Sequence, residues 1–198
     1  GGRAGSQSSR LSCVHSTIGG VKQIEPFGPF ALAANVIPVA VPSPAGELSG
    51  LLTGPSAPAL VDGIPAISAA SSPDAAGENR ALLVPGYTGS KEDYAPVLPF
   101  LGDAGWDVLA YSQRGQGGSA APAGLGAYGM SDFVNDLIAV AEAWAGTSGR
   151  VHLVGHSFGG IVARTAVIAR PDLFASVTLF CSGRAVYDWM NKIGRAHV

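Results

Sequence analysis

The hydrophobic positions of this chain fall into two regimes that meet near Arg80. After that point, short continuous apolar runs alternate with segments of helical period. Ala81–Val84, Asp107–Tyr111, Val151–Val154 and Val177–Phe180 are the runs, the pattern of strands buried on both faces. Between the first two, Tyr94, Val97, Leu98 and Leu101 share one face of a predicted helix over 93–104, with Ser90 and Asp93 spaced as a capping box and Gly105 as its stop. Phe133, Val134, Leu137, Ile138, Ala141 and Trp144 recur at helical spacing from Ser131, with Asp132 in the first turn and Gly146 as terminator. A third helix is predicted over Ile161–Arg170, ended by Pro171. Strands alternating with helices at this spacing imply right-handed crossovers and a parallel sheet, so the fold class is α/β.

Before Arg80 the pattern is weaker. Val36–Val41 and Glu47–Leu52 read as an antiparallel hairpin turned by residues 42–46, with Pro38 suited to an edge strand. Residues 53–79, punctuated by Pro55, Pro58, Pro65 and Pro73, read as a long loop in which Ile64–Ile67 is only lightly anchored. Residues 1–25 are rich in Gly, Ser and Arg and hold no acid before Glu25. Their composition is that of a transit peptide, and they are read as an unstructured leader or non-native segment.

Composition narrows the classes. Twelve basic and fourteen acidic residues leave a net charge of −2, which gives no electrostatic reason to expect nucleic acid or a membrane surface as a partner. Charged residues are 13 % of the chain, against the roughly 25 % of ordinary domains. Cys13 and Cys181 are too few and too far apart for a disulfide framework or a cysteine zinc site. No apolar stretch approaches the roughly 20 residues that span a bilayer, and a cytoplasmic location is expected.

The candidate chemistry sits in Gly155-His156-Ser157-Phe158-Gly159-Gly160. Gly-x-Ser-x-Gly has little meaning alone, but here it lies between a predicted buried strand and a predicted helix, the context the motif requires. A tight turn there strains the serine backbone, and Cβ atoms on the flanking glycines would collide with the neighbouring strand or helix. Other readings are weaker. Gly115–Ala120 fits a dinucleotide fingerprint, but no helix opens after it. His152 reads as a core histidine, His156 as an elbow residue that packs, and Trp144 as helix packing. Tyr187, Trp189 and Met190 fit either a substrate-covering cap or an ordinary apolar segment.

With the elbow in view, the chain resembles the α/β-hydrolase superfamily, in its serine-nucleophile branch. Leu83–Ser90 resembles that family's oxyanion loop, and Tyr111–Ser119 its Asp-x-Arg-Gly-x-Gly-x-Ser loop, with Pro85 in place of His and Ser112 in place of Asp. The likeness implies a partial fold over 26–191: a mostly parallel sheet with an N-terminal antiparallel hairpin, truncated before its last strands. It implies Ser157 as nucleophile, with the Tyr87 and Phe158 amides as oxyanion donors and Gly155, His156 and Gly159 forming the elbow. Each such donor is worth about 2.7–4 kcal/mol in a transition state. The expected activity is acyl transfer to water from an ester, thioester or related small molecule, with no metal or organic cofactor. A serine argues against the dehalogenase and epoxide-hydrolase branches, which attack with a carboxylate. A non-catalytic ligand-binding member of the fold and an acyltransferase using the same serine are the alternatives.

The family order places an acid and a histidine after the serine. Here the acids are Asp172 and Asp188 and the histidine is His197, none at the end of a later strand. Residues 192–198, closing on Ile193-Gly194-Arg195-Ala196-His197-Val198, look like a translated sequencing adapter. His197 is therefore set aside, and the 198-residue chain is expected to be nearly inactive and to fold poorly.

Overall fold

Six strands form one sheet in the order β1-β2-β4-β3-β5-β6. They are β1 (Val36–Ser43), β2 (Gly46–Thr53), β3 (Arg80–Val84), β4 (Asp107–Tyr111), β5 (Val151–His156) and β6 (Phe174–Phe180). The computed structural model describes residues 32–58, 65–67, 79–146 and 149–183. The segments 1–25 and 192–198, and with them Tyr187, Asp188, Trp189, Met190 and His197, lie outside the described residues. The pairs β1–β2 and β2–β4 are antiparallel, while β4–β3, β3–β5 and β5–β6 are parallel.

The hairpin turns on Pro44 and Ala45 alone, because pairing continues through Pro42–Glu47 to Ser43–Gly46. Pro38 lies on β1, at one end of the strand order, where its missing N–H faces no ladder. The outer side of that strand is not bare. Ala40 receives a parallel bridge from Ala66, with Ala40 N–H donating to Pro65 and Ile67 N–H donating back to Ala40. Ile67 is buried, so this part of the loop is anchored more firmly than its sequence indicates.

The parallel strands are buried on both faces. Leu82, Val84, Leu109, Tyr111 and Leu153 pack with α2 (Met130–Ala145) and α3 (Phe158–Ala169), while Ala81, Leu83, Val108 and Ala110 pack with Leu98 of α1 (Leu98–Asp103). Strand β3 thus alternates between two apolar layers, which explains why its sequence shows no polar face. At its start, Arg80 donates to the Trp144 carbonyl at 2.9 Å and stacks on the Trp144 ring, and Trp144 Nε1 donates to Ala81. A guanidinium at the C-terminal end of α2 also complements that helix's dipole.

Two helix boundaries differ from the sequence expectation. The predicted helix over 93–104 is instead a 3₁₀ turn, Lys91–Tyr94, followed by the shorter α1. Pro96 and Pro99 lack the N–H that a continuous helix needs, and Pro99 is tolerated only in the first turn. Asp93 accepts from Ser90 N–H at 3.3 Å, but the capped element is the 3₁₀ turn. Val97, expected on the buried face, is exposed. The third helix starts at Phe158 and not at Ile161, so it begins directly after Ser157. The final apolar run forms β6 as expected, yet Val177, Leu179 and Phe180 are exposed. No strand pairs with its outer side among the described residues.

Candidate active site

Ser157 joins β5 to α3 with φ +52° and ψ −117°. A non-glycine residue at such angles is strained by about 1–3 kcal/mol and persists only where its surroundings fix it. Here its N–H donates to the Phe180 carbonyl at 2.9 Å, and its carbonyl accepts from Gly160 N–H at 3.1 Å and Ser182 Oγ at 2.9 Å. The end of β6 therefore clamps the turn from one side.

The glycines explain the other side. A Cβ on Gly155 would come within 2.6 Å of Gly160 Cα, and one on Gly159 within 2.3 Å of the Pro85 carbonyl and 2.5 Å of the Val84 carbonyl. On Gly160 it would lie 2.4 Å from Ser182 Oγ. Strand, turn and helix are thus packed backbone to backbone, and Ser157 is left half-buried at the carboxyl end of β5.

The loop after β3 runs directly against this turn. A Cβ on Gly86 would sit 3.4 Å from Ser157 Cβ and 3.3 Å from His156 Nδ1. Tyr87 follows in this loop and Phe158 opens α3. Their rings meet edge-on at 5.7 Å, and Phe158 in turn meets Phe133 at 5.2 Å. Neither the Tyr87 nor the Phe158 N–H donates to a described residue. Both amides lie next to the serine turn with donors that no described residue accepts, and Phe158 opens a helix whose N-terminus favours negative charge.

The remaining sequence candidates separate. His156 packs against Phe180 at 5.4 Å. His152 shares a 2.8 Å hydrogen bond with Ser176 and meets Trp106 edge-on. Among the described residues, no imidazole hydrogen-bonds the Ser157 hydroxyl. Asp172 is exposed beyond the far end of α3, on the order of 18 Å from Ser157 by helix length, and is paired with Arg170 at 2.7 Å. That guanidinium holds its carboxyl below the usual range.

The loop after β4 makes contacts that the sequence did not show. Ser112, at the position where the family usually carries Asp, is fully buried, and its hydroxyl accepts from Lys91 N–H at 3.1 Å. Gln113 donates to the Pro85 carbonyl at 3.0 Å and Gln116 to the Tyr87 carbonyl. Arg114 reaches the other way, to Asp136 of α2 at 2.7 Å and to the Ala127 carbonyl at 2.6 Å. The only sequence signal for these contacts was membership of the glycine-rich loop, because their partners lie far along the chain.

A family model for the alpha/beta hydrolase fold matches residues 82–196. The chain belongs to that family. A putative carbamate hydrolase, RutD, of Variovorax paradoxus is 39 % identical over 98 residues, half of this chain and 36 % of the relative. Epoxide hydrolase A of Mycobacterium tuberculosis is 33 % identical over 96 residues, 48 % of this chain and 29 % of the relative. Among solved structures, an epoxide hydrolase from an endophytic Streptomyces superposes with a TM-score of 0.61 at 26 % identity, over 82 % of this chain and 43 % of that one. The thioesterase domain from the curacin biosynthetic pathway reaches the same TM-score at 16 % identity, over 81 % of this chain and 52 % of that one, a likeness of fold. The chain spans about a third of the length of the curated relatives it matches. No helix among the described residues is long and apolar enough to cross a membrane.

Proposed function

We propose that this chain carries the nucleophile and oxyanion site of a serine hydrolase acting on small acyl compounds. The observation that supports it best is the strained φ of Ser157 at a strand–helix junction where the glycines leave no room for side chains. Ser157 Oγ attacks the carbonyl carbon as its proton passes to a base outside the described residues, the carbonyl oxygen becomes an oxyanion, and the Tyr87 and Phe158 N–H groups hold it. Collapse expels the leaving group, which takes up that proton, and water then cleaves the acyl–Oγ bond, giving the acid and restoring the serine hydroxyl. The base and acid of the triad are not among the described residues. No metal or organic cofactor enters this scheme.

Acyl carbon fits this nucleophile better than an epoxide does, although several relatives are named epoxide hydrolases. A carboxylate that opens an epoxide leaves an ester, which water cleaves. A serine alkoxide would leave an ether, which it does not. The carbamate named for the RutD relatives is an acyl compound and fits the serine route.

Labelling of the full-length protein with a fluorophosphonate probe tests the proposal. Modification confined to Ser157 and abolished in Ser157→Ala is expected. No labelling, or labelling that survives the substitution, would favour a ligand-binding protein of the same fold. Partition of the acyl-enzyme towards added alcohol or amine acceptors in preference to water would favour an acyltransferase.

A further inference from the structure

The loop after β4 grips the loop after β3 at four points. Gln113 Nε2 donates to the Pro85 carbonyl, Gln116 Nε2 to the Tyr87 carbonyl, and Lys91 N–H to Ser112 Oγ. Lys91 Nζ returns to the Gly117 carbonyl at 2.8 Å. The two glutamine contacts bracket a single peptide unit, the one between Gly86 and Tyr87. That unit's own carbonyl accepts from Gly89 N–H at 3.2 Å, while its N–H is the Tyr87 donor, which no described residue accepts. A peptide unit is planar, so its N–H direction follows from its own carbonyl contact and from how the units on either side are held.

We propose that Gln113 and Gln116 are positioning residues: they fix the peptide units flanking Gly86–Tyr87 and so aim the Tyr87 N–H at the oxyanion. The inference rests on the reading of Ser157 given above. Two observations beyond the contacts themselves support it. Both glutamines leave Oε1 buried without a hydrogen-bond partner among the described residues. Such an acceptor is costly, so packing alone does not account for either carboxamide. The Nε2 contact with the β3 loop is the bond each one makes. The grip is also anchored to a rigid element, since Arg114, next to Gln113, is held by Asp136 and by the Asp132 carbonyl of α2. Pro85 is therefore fixed from two directions, by Gln113 on its carbonyl and by Gly159 packed against that same oxygen.

Gln113→Met keeps the volume and removes the donor. Gln116→Ala, at a less buried position, serves if the first variant does not fold. In the full-length protein with p-nitrophenyl butyrate, kcat is expected to fall about 10- to 100-fold, a fraction of the 10²–10³ that losing a whole oxyanion donor costs, with KM within about twofold. Affinity for a trifluoromethyl ketone, whose adduct with serine carries the oxyanion, should fall by a similar factor. Amide exchange over residues 83–92 should quicken. Unchanged kcat in folded variants, or a lower kcat with trifluoromethyl ketone affinity intact, would overturn the role. If wild-type protein neither turns over the ester nor labels at Ser157, the reading of the serine falls and this inference with it. Wild-type activity with unaffected variants would remove only the role of the glutamines.

Discussion

Ser157 is held in a backbone conformation that its own side chain disfavours. Its angles, φ +52° and ψ −117°, are open to glycine and strained for any residue with a Cβ. Folding strain and the proposed nucleophile role therefore oppose each other at this residue. Ser157→Gly is expected to raise folding stability by about 1 kcal/mol, part of the strain being offset by the greater freedom of glycine when unfolded. It should abolish fluorophosphonate labelling at the same time. Denaturant melts of both proteins check the sign. The local motif was legible because a turn this tight writes its steric demands into adjacent residues. What Gly159 avoids was not legible: the carbonyls of Val84 and Pro85 lie more than seventy residues earlier, and only the parallel pairing of β3 with β5 brings them there.

At the scale of elements, periodicity served the long helix best. Of the predicted face, Phe133, Val134, Leu137, Ala141 and Trp144 are buried and Ile138 is partly buried against the same core, because 3.6-residue repetition is a property of the segment itself. In the segment after β3 the apolar spacing predicts one helix, but Pro96 and Pro99 divide it into a 3₁₀ turn and the short α1. Asp136 escaped notice for a different reason. It is an acid inside the buried stripe of α2, 1 % exposed, and only its partner Arg114, 4 % exposed, makes that position tenable. Hydrogen bonding to Asp136 raises the Arg114 pKa further above its ordinary range. Removing one partner of such a pair typically costs about 3–5 kcal/mol. Asp136→Ala should therefore lower stability by that order, measured by urea unfolding, and loosen the loop that carries Gln113.

For the molecule as a whole, exposed apolar side chains lie along β6 and near the end of α3. Ile168 is 77 % exposed, Phe180 60 %, Leu179 43 % and Val177 39 %, beside a strand edge that no described residue pairs. Such an edge recruits other chains. The 198-residue polypeptide expressed by itself is expected to associate, visible as high-mass species in light scattering and as dye binding. A monomer that melts cooperatively would contradict this. The sequence by itself determined the α/β class, the identity of the strands and the turn that holds Ser157, since each depends on contacts within a few residues. Only the tertiary structure decided the strand order, the exposure of β6, the Arg114–Asp136 pair and the glutamine contacts with Pro85 and Tyr87. Those join segments tens of residues apart, and no local pattern of hydrophobicity encodes which distant backbone carbonyl a side chain will meet.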